Sequence, residues 1–140
     1  MLRNLLVGGL VILLCMMLQS WISALSVNFY RRHAGRTPLF RGGFLIFGVM
    51  TLLLFGNFLQ VSVWGGVFLL LGEFGSLYDA VYHSAVNFAT LGYGDVVMSP
   101  RWKLLGPIEA INGAMMIALS GAVVLQVLQL QLKALADDED

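Results

Sequence analysis

The sequence predicts an all-α integral membrane protein with three transmembrane helices and a shorter segment that re-enters the bilayer from one side. Composition is the first reason, since 59% of the 140 residues are hydrophobic and 11% are charged, against about 25% charged in ordinary soluble domains. The second reason is that three runs of 27, 31 and 23 residues contain no charged side chain. Each run exceeds the roughly 20 apolar residues that cross a bilayer as a helix.

The same composition excludes several classes of protein. Eight basic and eight acidic residues give a net charge of zero, so we expect no nucleic acid partner. The single Cys15 cannot form an internal disulfide, and the sequence contains no Cys/His cluster with metal-ligand spacing. No nucleophile and base lie at one depth. The sequence therefore predicts neither an enzyme nor a bound cofactor, and it predicts membrane lipid as the surroundings of the chain.

The first predicted helix covers residues 4–29 and, with the loop after it, forms an N-terminal part over 1–42. Its uncharged run is far longer than the apolar core of a signal peptide, so we interpret it as a retained helix. Loops rich in basic residues face the cytoplasm, which places the N-terminus outside and predicts a multi-pass protein of the plasma or inner cell membrane. The charges of the loop 30–42 are all basic, at Arg31, Arg32, Arg36 and Arg41.

The second predicted helix covers residues 43–72, and a fourth apolar stretch follows it from Ala80 to Gly94. That stretch contains 15 residues and is too short to span the bilayer comfortably. We interpret it as a re-entrant segment that enters from the outer side. Residues 78–89, which begin just before this stretch, are predicted to form a short pore helix.

The third predicted helix covers residues 104–132. It begins or bends near Pro107, because proline has no backbone donor. It returns the chain to the cytoplasm, where residues 133–140 form a short acidic tail. Arg101 and Lys103 then lie outside, against the positive-inside rule, but the four arginines of the first loop outweigh them.

Residues Thr90 to Asp95 carry the most specific signal in the chain, Thr-Leu-Gly-Tyr-Gly-Asp. This segment resembles the signature filter of tetrameric potassium channels, whose usual form is Thr-Val-Gly-Tyr-Gly-Asp. The short helix before it and the long helices on either side are similar in order to the bacterial two-helix pore module. The resemblance covers residues 43–132, which we treat as one pore module, and leaves helix 4–29 as an addition.

The resemblance implies a potassium-selective channel that conducts passively as a homotetramer. A permeating cation loses its water, and backbone carbonyl oxygens from four chains replace that shell. Glycine at alternate positions allows the backbone to turn these oxygens towards one axis. The Thr90 hydroxyl would be the innermost ligand. The implied ion-binding residues are Thr90, Leu91, Gly92, Tyr93 and Gly94.

Three further residues are predicted to support the filter or its outer mouth: Asp95, Tyr82 and His83. Asp95 either forms a local hydrogen bond behind the filter or attracts ions to the mouth. His83 could act as a pH sensor. Alternatively, it donates a hydrogen bond that holds the filter wall, with Tyr93 of the same or the next chain as the expected partner.

The third helix offers two candidates for a gating hinge, Gly113 and Gly121, because glycine weakens helix rigidity. The pattern Glu109-Ala110-x-x-Gly113 looks like that of bacterial pore modules, which favours Gly113, although both glycines could serve only packing. An acid in a membrane span is a functional candidate by default. For Glu109 we prefer a hydrogen bond to the pore-helix backbone or to Asn112.

Four positions depart from the family pattern: Leu91, Ala89, Val86 and Met98. Leu91 replaces a valine, and Ala89 replaces a threonine. Val86 stands where some members have an acid behind the filter, and Met98 stands where a proline is common. These departures suggest different bonding behind the filter and leave two alternatives open. One is a weakly selective cation channel. The other is a non-conducting membrane subunit that docks on a partner through helix 4–29.

Overall fold

Four α-helices make up the computed structural model, which describes residues 1–34 and 39–136. These residues contain no β-strand. Three helices are long and apolar enough to cross a membrane, and the fourth is a 12-residue helix that lies between the second and third of them in the chain. The helices are α1 (Leu2–His33), α2 (Leu39–Leu70), α3 (Leu77–Phe88) and α4 (Leu105–Ala136).

The long helices differ from their predicted bounds at the ends. α1 continues past residue 29 to His33, and α4 continues past residue 132 to Ala136. Basic side chains stand in the last turn of both helices, where they stabilise a helix C-terminus and reach polar surroundings with their flexible stems. The first four residues of the predicted tail are therefore helical. The central part of the basic loop and residues 137–140 lie outside the described residues.

Two other bounds follow from backbone chemistry. α2 ends at Leu70 instead of residue 72, and Gly72 has a positive φ of 72°, a conformation that ends a helix. α4 begins at Leu105, so Pro107 lies in the first helical turn, where no backbone donor is required. The helix therefore starts just before the proline.

α2 and α4 form the centre of the bundle. α1 and α3 each pack against both of them, and in the described part of the chain α1 does not contact α3. One apolar cluster surrounds Trp64, Phe68 and Leu105 near α3, and a second surrounds Tyr30 and Val127 near the other end. Among the described residues, the N-terminal helix therefore reaches α3 through α2, through α4 or through the segment between α3 and α4.

A buried polar network links the three long helices between these clusters. Gln60 donates to Gln19 across 2.8 Å, and Gln19 donates to the Ser120 hydroxyl across 3.0 Å. Asn57 lies 3.4 Å from the same hydroxyl. Such side chains hydrogen-bond across helices in membranes because hydrocarbon offers no other partner. The network therefore fixes α1, α2 and α4 relative to one another.

Contacts at both ends fix the direction of α1. Asn4 donates to the Arg101 carbonyl across 3.1 Å, and the Arg3 guanidinium lies 4.9 Å from the Trp102 ring centroid. At the opposite end Tyr30 donates to Gln131. The start of α1 therefore lies at the same end of the bundle as the loop between α3 and α4.

Candidate functional site

The short helix α3 is defined at its start by a side-chain cap. Ser76 accepts a hydrogen bond from the Asp79 backbone amide at 3.0 Å, and its hydroxyl donates to the Asp79 carboxylate at 2.7 Å. Ser and Asp are favoured at these positions because they satisfy free amides of the first turn. The buried side of the helix faces α2 and α4 and contains Ala80, His83, Ser84, Val86 and Phe88.

The segment after α3 folds back onto the last turn of that helix. The Thr90 amide donates to the Asn87 carbonyl at 2.8 Å, and the Leu91 amide donates to the Val86 carbonyl at 2.9 Å. The Gly92 amide points to the same Val86 oxygen at 3.5 Å. Val86 thus supports the loop through its backbone, while its side chain is buried and apolar.

Every second residue of this loop adopts a left-handed backbone conformation. Thr90, Gly92 and Gly94 have φ values of 59°, 58° and 72°. Glycine adopts such values without steric cost, whereas a β-branched threonine is strained there by roughly 1–3 kcal/mol. The strain at Thr90 is maintained by the hydrogen bonds to α3. The loop lies exposed on the single chain, with Leu91 at 54% and Tyr93 at 66% exposure.

Tyr82 holds the far end of the loop through Asp95. The Tyr82 hydroxyl donates to Asp95 Oδ2 at 2.7 Å, and Asp95 Oδ1 accepts from the Val96 amide at 3.0 Å. The bond from Tyr82 lowers the pKa of Asp95, and it raises the pKa of Tyr82. Asp95 therefore makes a local hydrogen bond, which is one of its two predicted roles, and the attraction of ions stays a prediction.

His83 bonds to a different partner from the one expected. Its Nδ1 lies 2.8 Å from the Val96 carbonyl oxygen, and its Nε2 lies 2.8 Å from Asn87 Nδ2. Both ring nitrogens are therefore engaged, and neither is left for Tyr93, so the expected bond to Tyr93 within the chain is wrong. Burial lowers the pKa of His83, because a charged imidazolium is poorly solvated among apolar neighbours.

A carboxylate that the sequence did not single out holds the segment after the loop. Glu73, just beyond α2, accepts from the Ser99 amide at 2.6 Å and from the Ser99 hydroxyl at 2.8 Å. The two residues are 26 positions apart and share no sequence motif, so no signal in the sequence could have paired them. The chain on both sides of the loop is thus tied to neighbouring elements.

Glu109 bonds to the pore helix, but through a side chain. It is completely buried, and its Oε1 lies 2.5 Å from the Ser84 hydroxyl. The expected partners were the pore-helix backbone and Asn112. Asn112 is also completely buried, and its side-chain amide has no hydrogen-bond partner among the described residues. The expected contacts are therefore replaced by a bond to Ser84.

The two candidate hinge glycines lie in different surroundings. Gly113 faces the Phe88 carbonyl oxygen so closely that a β-carbon would overlap it, whereas Gly121 has open space around it. α4 is continuous through both positions. Gly113 thus has a packing role against α3, and a hinge at either glycine stays a prediction.

The structure brings most of the predicted site residues together. Thr90 to Asp95 form one loop, and Tyr82 and His83 hold its far end from α3. Gly113 supports the C-terminal end of α3, and Gly121 lies two helical turns further along α4. Within residues 1–34 and 39–136, no three His, Cys, Asp or Glu side chains are grouped to hold a metal ion.

Comparison with known protein families gives one match. A family model described as "Ion channel" matches residues 44–130, which include most of α2, all of α3 and its loop, and most of α4. Comparisons with curated proteins and with solved structures find no match. The match covers more than half of the chain, and the three apolar helices agree with a multi-pass membrane protein. The chain therefore belongs to this ion channel family, a potassium channel-like family with a two-helix pore.

Proposed function

We propose that the chain is the subunit of a homotetrameric, potassium-selective channel that conducts passively through residues 90–94. The observation that supports this most directly is the alternation of positive φ values at Thr90, Gly92 and Gly94 within the sequence Thr-Leu-Gly-Tyr-Gly-Asp. Such a backbone leaves successive carbonyl groups outside helix and strand hydrogen bonding. They are then free to replace the hydration shell of a dehydrated cation.

Four copies are required because one chain supplies only one side of an ion site. Exposed carbonyls at membrane depth are tolerated only where they face ions, water or protein. The large exposed side chains of Leu91 and Tyr93 would pack against neighbouring chains, while the carbonyls of the same residues would face the axis. The Thr90 hydroxyl would complete the innermost site.

The pore helix contributes its dipole to the same task. The chain passes directly from the C-terminal end of α3 into Thr90, and a helix C-terminus carries a partial negative charge. Four such ends around one axis would stabilise a cation at the inner end of the filter. Permeation would then follow the electrochemical gradient without a chemical step.

A reversal potential tests the proposal. The purified protein is placed in a planar bilayer with potassium on one side and sodium on the other. We expect reversal near the potassium equilibrium potential, and we expect Gly92→Ala to abolish it because alanine is strained at a φ of 58°. Gly75→Ala is the matched control, since Gly75 has open surroundings and no positive φ.

Other outcomes would point to the alternative functions. Robust current that reverses near zero would indicate a weakly selective cation channel, which the apolar Val86 behind the loop favours. A dimer or monomer without any tetramer in cross-linking would contradict the homotetramer. No current together with no potassium binding in calorimetry would favour a non-conducting subunit.

We further propose that α1 begins outside the cell membrane and that α4 ends in the cytoplasm. Lys103→Cys and Lys133→Cys place thiols at opposite ends of α4, and both lysines are exposed. The native Cys15 is completely buried and gives a low background. A membrane-impermeant maleimide added to intact cells should label position 103 and spare position 133, and the reverse pattern would invert the orientation.

A further inference from the structure

An open, apolar groove runs along the surface of the bundle between α1 and α2. Leu18, Trp21 and Leu25 line it from α1, and Phe55 and Leu59 line it from α2. All the lining residues belong to these two helices, and the volume is 830 Å³. Sites that enclose an apolar ligand have volumes of roughly 300–1,000 Å³, so the groove has room for an elongated apolar molecule.

The groove extends over the depth of one leaflet of a bilayer. Its lining on α1 runs from Leu14 to Asn28, which is roughly 21 Å of helix, and one leaflet contributes roughly 15 Å of hydrocarbon. These residues lie towards the second end of the uncharged run between Arg3 and Arg31. The groove therefore begins near the middle of the bilayer and ends close to the headgroups.

Two arginines extend the groove-lining faces of both helices at the headgroup end. Leu18, Leu25 and Arg32 are seven residues apart, so they share one face of α1. On α2, Arg41 lies two such intervals before Phe55, again on one face. Both arginine side chains are exposed. The apolar groove thus has positive charge at its polar end.

The two arginines lie at similar depths because α1 and α2 are antiparallel. Phe29 of α1 packs against Gly48 of α2. Arg32 lies three residues past this contact along α1, and Arg41 lies seven residues before it along α2, so their depths differ by roughly 6 Å. No acidic residue precedes Glu73 in the sequence, so neither helix supplies a counter-charge at this end.

We propose that this groove binds an acyl chain of an anionic phospholipid, whose phosphate group contacts Arg32 and Arg41. A guanidinium group forms two parallel hydrogen bonds to phosphate oxygens, and basic side chains at the membrane surface attract anionic headgroups. The inference goes beyond the proposed function, since it assigns a ligand to α1, which lies outside the matched residues 44–130. It does not depend on the ion selectivity of the pore.

The tryptophans of the chain provide a local probe. Trp21 lies in the groove and is 81% exposed, whereas the other two tryptophans, Trp64 and Trp102, are buried. Bromine atoms on an acyl chain quench tryptophan fluorescence at contact distance. The full-length protein is placed in vesicles of phosphatidylcholine and phosphatidylglycerol, with bromine on the chains of one lipid at a time. Trp21→Phe identifies the part of the quenching that arises in the groove.

We expect phosphatidylglycerol to bind beside Trp21 at least fivefold more tightly than phosphatidylcholine. Arg32→Gln and Arg41→Gln should each lower this preference about fivefold, which corresponds to about 1 kcal/mol per basic side chain. Lys133→Gln is the matched control, because it removes the same charge from an exposed position at the same end of the bundle, on α4. This variant should keep the full preference.

Three results would overturn the proposal. One is equal binding of the two lipids to the unaltered protein, as expected if the acidic residues 137–140 neutralised the arginines. Another is an equal loss in Arg32→Gln and Lys133→Gln, which would indicate general attraction to the membrane surface. The third is no quenching of Trp21 by either lipid, which would show that a neighbouring chain covers the groove.

A soluble competitor separates a lipid site from a site for a free anion. Glycerol phosphate carries the same charged group without acyl chains, so we expect it to leave the quenching by brominated phosphatidylglycerol unchanged. Displacement of the lipid by glycerol phosphate would assign the arginines to a soluble phosphate and would refute the role of the groove. Each of these results leaves the proposed function unaffected, because none of the measurements involves conduction.

Discussion

The Phe88 carbonyl oxygen, at the end of the pore helix, lies directly against the Cα atom of Gly113 on α4. A side chain at position 113 would occupy the space of that oxygen. The C-terminal end of α3 can therefore approach the α4 backbone this closely because Gly113 has no β-carbon. This contact lies two residues before Thr90, where the loop after α3 begins.

Gly113→Ala should destabilise the protein by about 1–3 kcal/mol, because the pore helix must move to admit the methyl group. The measurement is thermal unfolding of the detergent-solubilised protein, followed by fluorescence-detected gel filtration. Gly121→Ala is the control, and we expect it to be neutral or stabilising, since its surroundings are open and alanine favours helix. Equal melting temperatures for the two variants would contradict the packing role of Gly113.

Tyr82→Phe should raise the pKa of Asp95 back towards its ordinary value of 3.8, because the donated hydrogen bond that lowers the pKa is lost. Ionised Asp95 stabilises the folded protein above that value, and this contribution is lost as the pH falls through the lowered pKa. Carbon NMR of the carboxyl group measures the change. Tyr78→Phe is the matched control on the same helix, and a shift of similar size in it would count against the Tyr82 bond.

The stability of the protein should decrease as the pH falls below 6.5, because His83 has a lowered pKa in the folded state. The folded protein prefers the neutral ring, so the stability is complete above 6.5 and is lost as the pH falls from 6.5 towards the lowered pKa. The charged group that acts on the His83 ring is Asp95 from the loop. Melting temperatures measured against pH provide the test.

His83→Gln should remove this part of the pH dependence. His33→Gln is the control, since His33 is exposed at the end of α1, and it should leave the dependence in place. A dependence that survives in His83→Gln would assign the titration to another group.

Glu73→Ala should loosen the segment after the loop Thr90–Asp95, because Ser99 loses both hydrogen bonds to the carboxylate. We expect the Ser99 amide to exchange with deuterium about tenfold faster, which corresponds to about 1.4 kcal/mol for a partly solvated bond to a charged group. Ser99→Ala removes only the hydroxyl bond and should have a smaller effect. An unchanged exchange rate at position 99 in Glu73→Ala would show that the contact does not restrain the segment.

The sequence predicted the number and order of the helices because uncharged runs of membrane length admit few other structures. The predicted C-terminal ends of α1 and α4 were too early, because each helix was assumed to stop before its next charged residue. Arginine and lysine are tolerated in a last helical turn. The loop Thr90–Asp95 was predicted from its motif, since the required backbone conformations restrict residue type at each position.

The contacts that hold this loop could not be predicted in the same way. Glu109 and Ser84 are 25 residues apart, and Glu73 and Ser99 are 26 apart. Their meeting depends on the rotation and depth of α3 against α2 and α4. Close contacts such as that between Gly113 and Phe88 determine this rotation and depth. A single sequence does not show which of its glycines lie against a neighbouring helix.

The amide network around Ser120 also restricts how the bundle can move. If α4 slid along α1 by one turn, roughly 5.4 Å, Gln19 and Ser120 would separate and their polar groups would be left in hydrocarbon. Sliding of α4 against α1 is therefore disfavoured at the level of Ser120. Beyond Ser120, the remaining 16 residues of α4 are also held to α1 by the hydrogen bond between Tyr30 and Gln131, so an outward bend of this part of α4 would break that bond.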